Sequence, residues 1–355
     1  MNKTNKAMSF AGLYVEKRTR KNTFFKHINS IMDWAVLEKE IDKVYKKGKS
    51  VDGRPSYSGL LLFKMTLLSY WYQLSDEKTE EMVNENLSAM MFCGLQLEDD
   101  VPDHSTLSRF RNELTEKKAF DRILRKVNKQ LEAKKIKITG GKGIVDASLT
   151  DSPFDPKGKT TYEVAEDRKE DERSDDDKDA EQNQAMVNKK EQPGTDTEGR
   201  WVKKQGELHF GYKKHILTNE DGLVEAVHTT TANEHDSKGL KPLLQKIKSK
   251  KIKGLYTDKG FKVPDNDQIL NEIGLKNRIQ HKAYRNRPLT EWEKKFNKLI
   301  SSYRYVVERT FGSMKRWFGA GRARYKGMNK VHSQHVLEAI SYNLYRAPGL
   351  VRAYT

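Results

Sequence analysis

Residues 207–216 read Glu207-Leu208-His209-Phe210-Gly211-Tyr212-Lys213-Lys214-His215-Ile216, followed by Asn219-Glu220-Asp221-Gly222 and then Leu223-Val224-Glu225-Ala226-Val227-His228-Thr229. The first run alternates with period two, the middle four residues are a hairpin turn signal, and the last run is a return strand. Upstream, after Gly140-Gly141, Ile144-Val145-Asp146-Ala147-Ser148 is a short strand. Downstream, the pattern predicts a helix from Asp236 to Lys248, a strand from Ile252 to Thr257, a helix from Asp265 to Ile273 and a strand from Leu275 to Ile279. Three strands, then helix–strand alternation, predict an α/β domain with a mixed sheet and flanking helices. A long helix from about Thr290 to Trp317 closes the set. Its Trp292, Phe296, Leu299, Tyr303, Val306, Thr310, Met314 and Trp317 recur every three or four residues as a mostly apolar stripe.

The first 135 residues read differently. Residues 22–135 look helical throughout, with an apolar-rich segment from Tyr57 to Tyr72 and a restart at Ser75-Asp76-Glu77-Lys78. After Val101-Pro102, Asp103 is a good N-cap for His104-Ser105-Thr106-Leu107-Ser108-Arg109-Phe110-Arg111. Short helices ending in one that bears Ser105, Arg109 and Arg111 suit a helix-turn-helix DNA reader, with an ordinary bundle as the plainer reading. The expected organisation is a helical N-terminal domain over 1–135, an α/β domain over 140–330 and a helical tail over 331–355. Within the α/β domain, residues 155–203 are expected to form a disordered acidic insertion. Glu163 to Glu181 carries eleven acids against four bases and has no hydrophobic period. A solvated spacer is the preferred account of it; a DNA mimic covering a basic groove is the sharper one.

The 355 residues include 67 Lys and Arg against 50 Asp and Glu, a net charge of +17. That excess favours a polyanionic partner, most simply nucleic acid. No apolar run approaches the ~20 residues of a membrane span. Met1-Asn2-Lys3-Thr4 lacks the apolar stretch of a secretory signal. The single cysteine, Cys93, excludes an internal disulfide framework and a Cys-rich zinc site, and suits a reducing cytoplasm. A cytoplasmic, nucleoid-associated protein is expected, with no membrane partner and no nucleotide cofactor.

Two acids end apolar strands at a sheet's carboxyl edge, Asp146 and Asp258, the latter just before Lys259-Gly260. A ribonuclease H-like fold has this strand order, with the first and fourth strands adjacent and parallel, and would set the two acids side by side. There they would repel unless a cation neutralised them. On the long helix, Arg304, Glu308 and Lys315 share one narrow face at 100° per residue, off the apolar stripe. Three acids so placed suit two Mg²⁺ ions, with Mn²⁺ as a substitute; a salt-bridged solvent face is the plain alternative. Residues 281–330 hold fourteen bases and three acids among aromatic rings, so Arg304, Lys315, Arg316, Arg322, Arg324 and Lys326 are candidate phosphate contacts. Trp317 and Tyr325 are the ring candidates for stacking on a base. His235 reads best as a helix-start hydrogen bond. His332 and His335 are spaced for a metal but read better as a solvated face.

These residues resemble a known family. Val306-Val307-Glu308-Arg309-Thr310-Phe311-Gly312-Ser313-Met314-Lys315-Arg316-Trp317-Phe318-Gly319, followed by Ala323-Arg324-Tyr325-Lys326-Gly327, is similar to the signature around the catalytic glutamate of bacterial DDE transposases of the insertion-sequence-five family. Gly143 to Ser148, Thr230 to Asp236 and Tyr256 to Phe261 resemble further segments of its catalytic domain. Gly53-Arg54-Pro55, Trp71 to Asp76 and Val101 to Thr106 resemble its N-terminal helical domain. The resemblance implies a ribonuclease H-like core with two divalent ions held by Asp146, Asp258 and Glu308. It implies an enzyme that cuts double-stranded DNA at terminal inverted repeats and joins the freed 3′ ends to target DNA as a homo-oligomer on paired ends. Arg304 and Lys315 match the basic positions flanking the glutamate. A tyrosine usual three residues before that arginine is Ser301 here. The rival expectations are a non-catalytic sequence-specific repressor and a nuclease on the same core that does not join strands.

Overall fold

The computed structural model describes residues 24–46, 56–137, 141–156, 162–164, 186–188, 194–247 and 252–353. The chain divides into two units: one runs to Lys137 and resumes at Val336, the other is Ile138–His335.

The first unit is helical. Its elements are α1 (Phe24–Ile31), α2 (Trp34–Asp42), α3 (Gly59–Trp71), α4 (Asp76–Glu85), α5 (Leu87–Cys93), α6 (His104–Glu116) and α7 (Ala119–Ala133). The caps are the local signals read from sequence. Ser75 accepts from the Lys78 amide and Asp103 from the Thr106 amide, satisfying amides that the first turn cannot bond internally. In α3, every residue from Leu61 to Trp71 is buried, so it is the central helix of the unit. Lys64 lies over the rings of Trp34 and Phe92, at 4.6 and 5.1 Å, and burial pushes its pKa down to about 8. The Cys93 thiol is buried and pushed up to about 12, which leaves it inert as a nucleophile.

The second unit is built on one mixed sheet. Its strands are β1 (Lys142–Asp151), β2 (Tyr162–Val164), β3 (Met186–Asn188), β4 (Arg200–Lys204), β5 (Glu207–Thr218), β6 (Val224–Thr231), β7 (Gly254–Thr257) and β8 (Lys276–Ile279). β1 pairs antiparallel with β5 and parallel with β7; β5 pairs antiparallel with β6, and β7 parallel with β8. The order β6-β5-β1-β7-β8, with the first three strands antiparallel and the last two parallel to β1, is the ribonuclease H-like core. The β5–β6 turn is where the sequence puts it: the Asn219 side chain accepts from the Asp221 and Leu223 amides. β5 also pairs with β4 through Glu207–Gly211, and hands over to β6 from Tyr212 onward. Gly211, at φ 147°, sits at that handover; a Cβ there would come within 2.4 Å of the Thr150 carbonyl oxygen.

Alternation along β1 separates the two faces of the sheet. Val145 joins Leu217, Ala226, Leu255 and Ile279 in a core completed by Leu240 and Leu243 of α8 (Leu240–Lys246) and Leu270 of α9 (Pro264–Glu272). Asp146 is on the opposite face, under α10 (Glu291–Phe318). The α10 helix starts at a capping box of Thr290 and Glu293 and ends at Gly319 in the left-handed region.

Three expectations change. The apolar stripe does not bury α10 along its whole length: Ile300, Val306, Val307, Thr310, Phe311, Met314 and Phe318 are buried, whereas Trp292 and Leu299 are 64% and 54% exposed. The helix packs on β1 and β7. The stretch expected as an insertion ends in ordered structure. Tyr212 donates to the buried Asp196 at 2.7 Å, Gly327 and Met328 amides donate to Asp196 and Glu198, and β4 occupies Arg200–Lys204. Those two acids thus cap the start of α11 (Met328–Ala353). Most of the Glu163–Glu181 run lies outside the described residues; Glu163 and Val164 belong to β2. Finally, His332 and His335 are not on a solvated face. His335 is fully buried, bonded to Thr150 and Thr229, and His332 meets Thr229 and Lys246.

Candidate active site

The parallel register pairs Ile144 with Tyr256. Carried two residues along, it places Asp146 beside Asp258. Asp258 leaves β7 as the cap of a 3₁₀ turn, Lys259–Phe261, accepting from the Gly260 amide at 3.1 Å. Asp146 accepts from the Ala147 amide at 2.9 Å. From α10, the Arg304 guanidinium lies 3.3 Å from Asp146 Oδ2 and 3.4 Å from Glu308 Oε1. The two strand acids and Arg304 therefore form one cluster, with Glu308 linked to it through the arginine.

The electrostatics follow from this placement. Burial pushes the Asp146 carboxyl up to about 6; the Asp258 and Asp236 charges add to that rise and Arg304 opposes it. Asp258 is raised for the same reasons, burial first, with Arg304 again opposing and Asp236 adding. A pair of part-buried, mutually repelling carboxylates is a site that gains from a cation. Glu308 is on the rim, its side chain 57% exposed, turned to Arg304. Among the described residues, no three Asp, Glu, His or Cys side chains already converge at metal-holding distance. The donor set fits a hard divalent cation in chemistry, two carboxylates in place and a third one helical turn beyond Arg304.

The basic candidates separate by environment. Lys315 and Arg322 line a groove that also touches Ala147 and Ser148, next to Asp146. Burial, then the Lys214 and Lys204 charges, hold Lys315 below the usual ammonium range. Arg316 is exposed on α10, Lys326 is exposed with its ammonium 4.9 Å over the Phe154 ring, and the Arg324 amide is bound by Gln334. Ser301 accepts from Gln280 at 2.7 Å. Tyr303 packs against Tyr256 with the ring planes tilted by 55°, and the Lys142 ammonium lies 4.6 Å over its ring. In the helical unit, Asp103 holds Ser105 and Thr106, and Arg109 donates to both hydroxyls at 3.1 Å on the exposed start of α6. Arg111 departs from its expected role. It is buried and forms a two-pronged pair with Asp76 at 2.7 and 2.5 Å, so its guanidinium is spent inside the unit.

Several neighbours escaped sequence reading. Asp236 acts on both strand acids; burial pushes its own pKa up, but the Lys213 ammonium at 2.9 Å outweighs this and the net direction is down. The Thr230–Asp236 segment, which resembles part of the family's catalytic domain, was the available signal, but its acid was read only as part of a helix start. His235 does cap that start, its ring nitrogen 3.3 Å from the Ser237 amide. Lys204, His209 and Asp151 line the groove beside Lys315. Nothing local marks them, and Lys204 directly follows the stretch read as an insertion.

Comparison with known proteins finds two transposase families and a transposase relative. Residues 183–344 match the family described as Transposase DDE domain, and residues 13–113 match Transposase domain (DUF772). The transposase for insertion sequence element IS1106 of Neisseria meningitidis serogroup B is 35% identical over 246 residues, covering 69% of this chain and 78% of that protein. The crystal structure of the Mos1 mariner paired end complex with Mn aligns over 96% of this chain and 90% of its own at 11% identity, with a TM-score of 0.19, too low for the chains to superpose. On the two domain matches and the IS1106 relative, the chain belongs to the DDE transposases of insertion sequences.

Proposed function

We propose that this transposase binds the terminal inverted repeats of an insertion sequence, cuts the DNA at the element ends and joins the 3′-hydroxyl ends to target DNA. The carrying observation is the register that, carried two residues on, sets Asp146 beside Asp258, both part-buried and raised, with Arg304 reaching across to Asp146 and along its helix to Glu308. Asp146, Asp258 and Glu308 would hold two Mg²⁺ ions, or Mn²⁺ in their place. When bound, such ions activate a water or a 3′-hydroxyl and stabilise the charge of an in-line displacement at phosphorus. The chain's own work is positional. The sheet fixes the two strand acids, and Arg304 neutralises them and orients Glu308. Lys315 and Arg322 supply phosphate contacts beside the acids, with Arg316, Arg324 and Lys326 farther along the basic segment. Ser105 and Arg109 present donors at the exposed start of α6, suited to reading the repeat. The motif resemblance supports the insertion-sequence-five branch, for a protein working in the cytoplasm at the nucleoid as a homo-oligomer on paired ends.

The test is cleavage and joining on an oligonucleotide duplex carrying the cognate element end, with Mg²⁺ or Mn²⁺, for wild type and Glu308→Gln. The expected result is metal-dependent cutting at the end and joining to a second duplex. Both should vanish in the variant while its binding remains. Sequence-specific binding by wild type with no cutting would instead make the protein a repressor. Cutting without joining or end preference would make it a nuclease, and cutting by the variant would displace Glu308 from its assigned role.

A further inference from the structure

Beside the acid cluster lies a groove of about 610 Å³. Asp151 of β1 forms one wall, Lys204, Glu207 and His209 of the β4–β5 hairpin a second, and Lys315 with Arg322 the third. Three cationic side chains thus share one volume, and partial burial, then the Lys214 and Lys204 charges, hold the Lys315 ammonium below its usual range. Of the two acids on the walls, Asp151 is engaged: the His209 ring nitrogen Nδ1 lies 2.9 Å from its Oδ1. A histidine held this way has Nε2 left for other partners.

The groove is also braced. The Asp151 amide donates to the Gly321 carbonyl at 2.9 Å, and the Ala323 amide to the Asp151 carbonyl at 2.8 Å. Gln334 donates to the Arg322 carbonyl at 2.9 Å. The turn carrying Arg322 is therefore fixed to the strand carrying Asp151 before any ligand arrives, which lowers the ordering cost of binding.

We propose that this groove is a subsite for the DNA sugar–phosphate backbone flanking the reacting phosphate, in which Lys204 and His209 of the β4–β5 hairpin grip phosphates opposite Lys315 and Arg322. It rests on the transposase reading only in taking DNA as the ligand. Lys204 supplies a point charge at the exposed hairpin end, and Asp151 is a positioning residue that sets the His209 ring. Cations supplied by separate elements, Lys204 by the hairpin and Lys315 by α10, suit a linear polyanion rather than a single small anion.

The experiment measures equilibrium binding of a labelled element-end duplex by the full chain bearing Glu308→Gln, across a salt series, so that cleavage plays no part. Lys204→Gln should weaken binding at low salt roughly tenfold and reduce the slope of log K against log salt by about one. Lys204→Arg should keep the parental slope. His209→Gln added to Lys204→Gln should weaken binding further, with Lys204→Gln alone deciding if the double variant does not fold. Parental affinity and slope in Lys204→Gln, at an unchanged unfolding midpoint, would overturn the subsite. A reduced slope in a protein whose Glu308 form never cuts DNA would keep the subsite and remove the strand-transfer reading; normal cutting with an unchanged slope would do the reverse.

Discussion

His215 gives the sharpest quantitative prediction. It is fully buried in β5, its Nε2 is 2.9 Å from the Thr230 hydroxyl, and its Nδ1 faces Gly239, with no hydrogen-bond partner among the described residues. Burial pushes its pKa down to about 3; Lys213 and His228 add to that fall, and Asp236 opposes it. The folded pKa is therefore below the unfolded one, so between the two values the unfolded chain binds the extra proton. Stability falls as pH drops from the unfolded value of ~6.5 toward ~3. The loss from this one residue is about 2 kcal/mol by pH 5 and about 3 kcal/mol by pH 4. The perturbation is His215→Gln, which cannot take up a proton. Urea unfolding of wild type and variant at pH 7.5 and pH 5 separates the packing cost, present at both, from the titration, present only in acid. Relative to wild type, the variant should gain about 2 kcal/mol on acidification. Equal differences at the two pH values would refute the argument, as would a His215 imidazole resonance that titrates near its ordinary value.

Other expectations follow from single contacts. Gly239→Ala would set a Cβ 2.4 Å from His215 Nδ1 and should cost about 1–3 kcal/mol of stability, measured by denaturant unfolding. The same change shifts the 3₁₀ turn Asp236–Gly239, which carries Asp236, so cleavage should fall with it. Arg111→Ala leaves Asp76 without its two-pronged partner and should destabilise by about 3 kcal/mol, whereas Arg109→Ala should cost under ~1 kcal/mol and weaken repeat binding instead. Arg304→Gln removes the cation that opposes the rise of both strand acids; the carboxyl pKa values, followed by NMR in metal-free protein, should go further up, and cleavage should drop about a hundredfold. Asp196→Ala strips a cap from α11 and the Tyr212 hydroxyl of its acceptor, for about 1–2 kcal/mol by unfolding.

The sequence by itself determined whatever depends on neighbours along the chain. Caps at Ser75, Asp103 and Thr290, the Asn219–Gly222 turn and the alternation of β5 are all readable because a cap or a turn bonds to residues two to four positions away. The strand order and the resemblance around Glu308 then nominated Asp146, Asp258, Glu308 and Arg304, and a parallel β1–β7 register was enough to put the first two together. Only the tertiary structure decided which charges are available. Arg109 and Arg111 are two residues apart on one helix, yet one is exposed and the other is locked to Asp76, thirty-five positions away. Trp292 and Met314 belong to one stripe, yet the sheet covers only the second. Lys204, His209 and Asp151 meet Lys315 and Arg322 because β5 pairs with β4 on one side and with β1 on the other. Hydrogen bonding along a helix or within a turn is local, whereas burial and the pairing of charges depend on which distant surface arrives, and no spacing along the chain encodes that arrival.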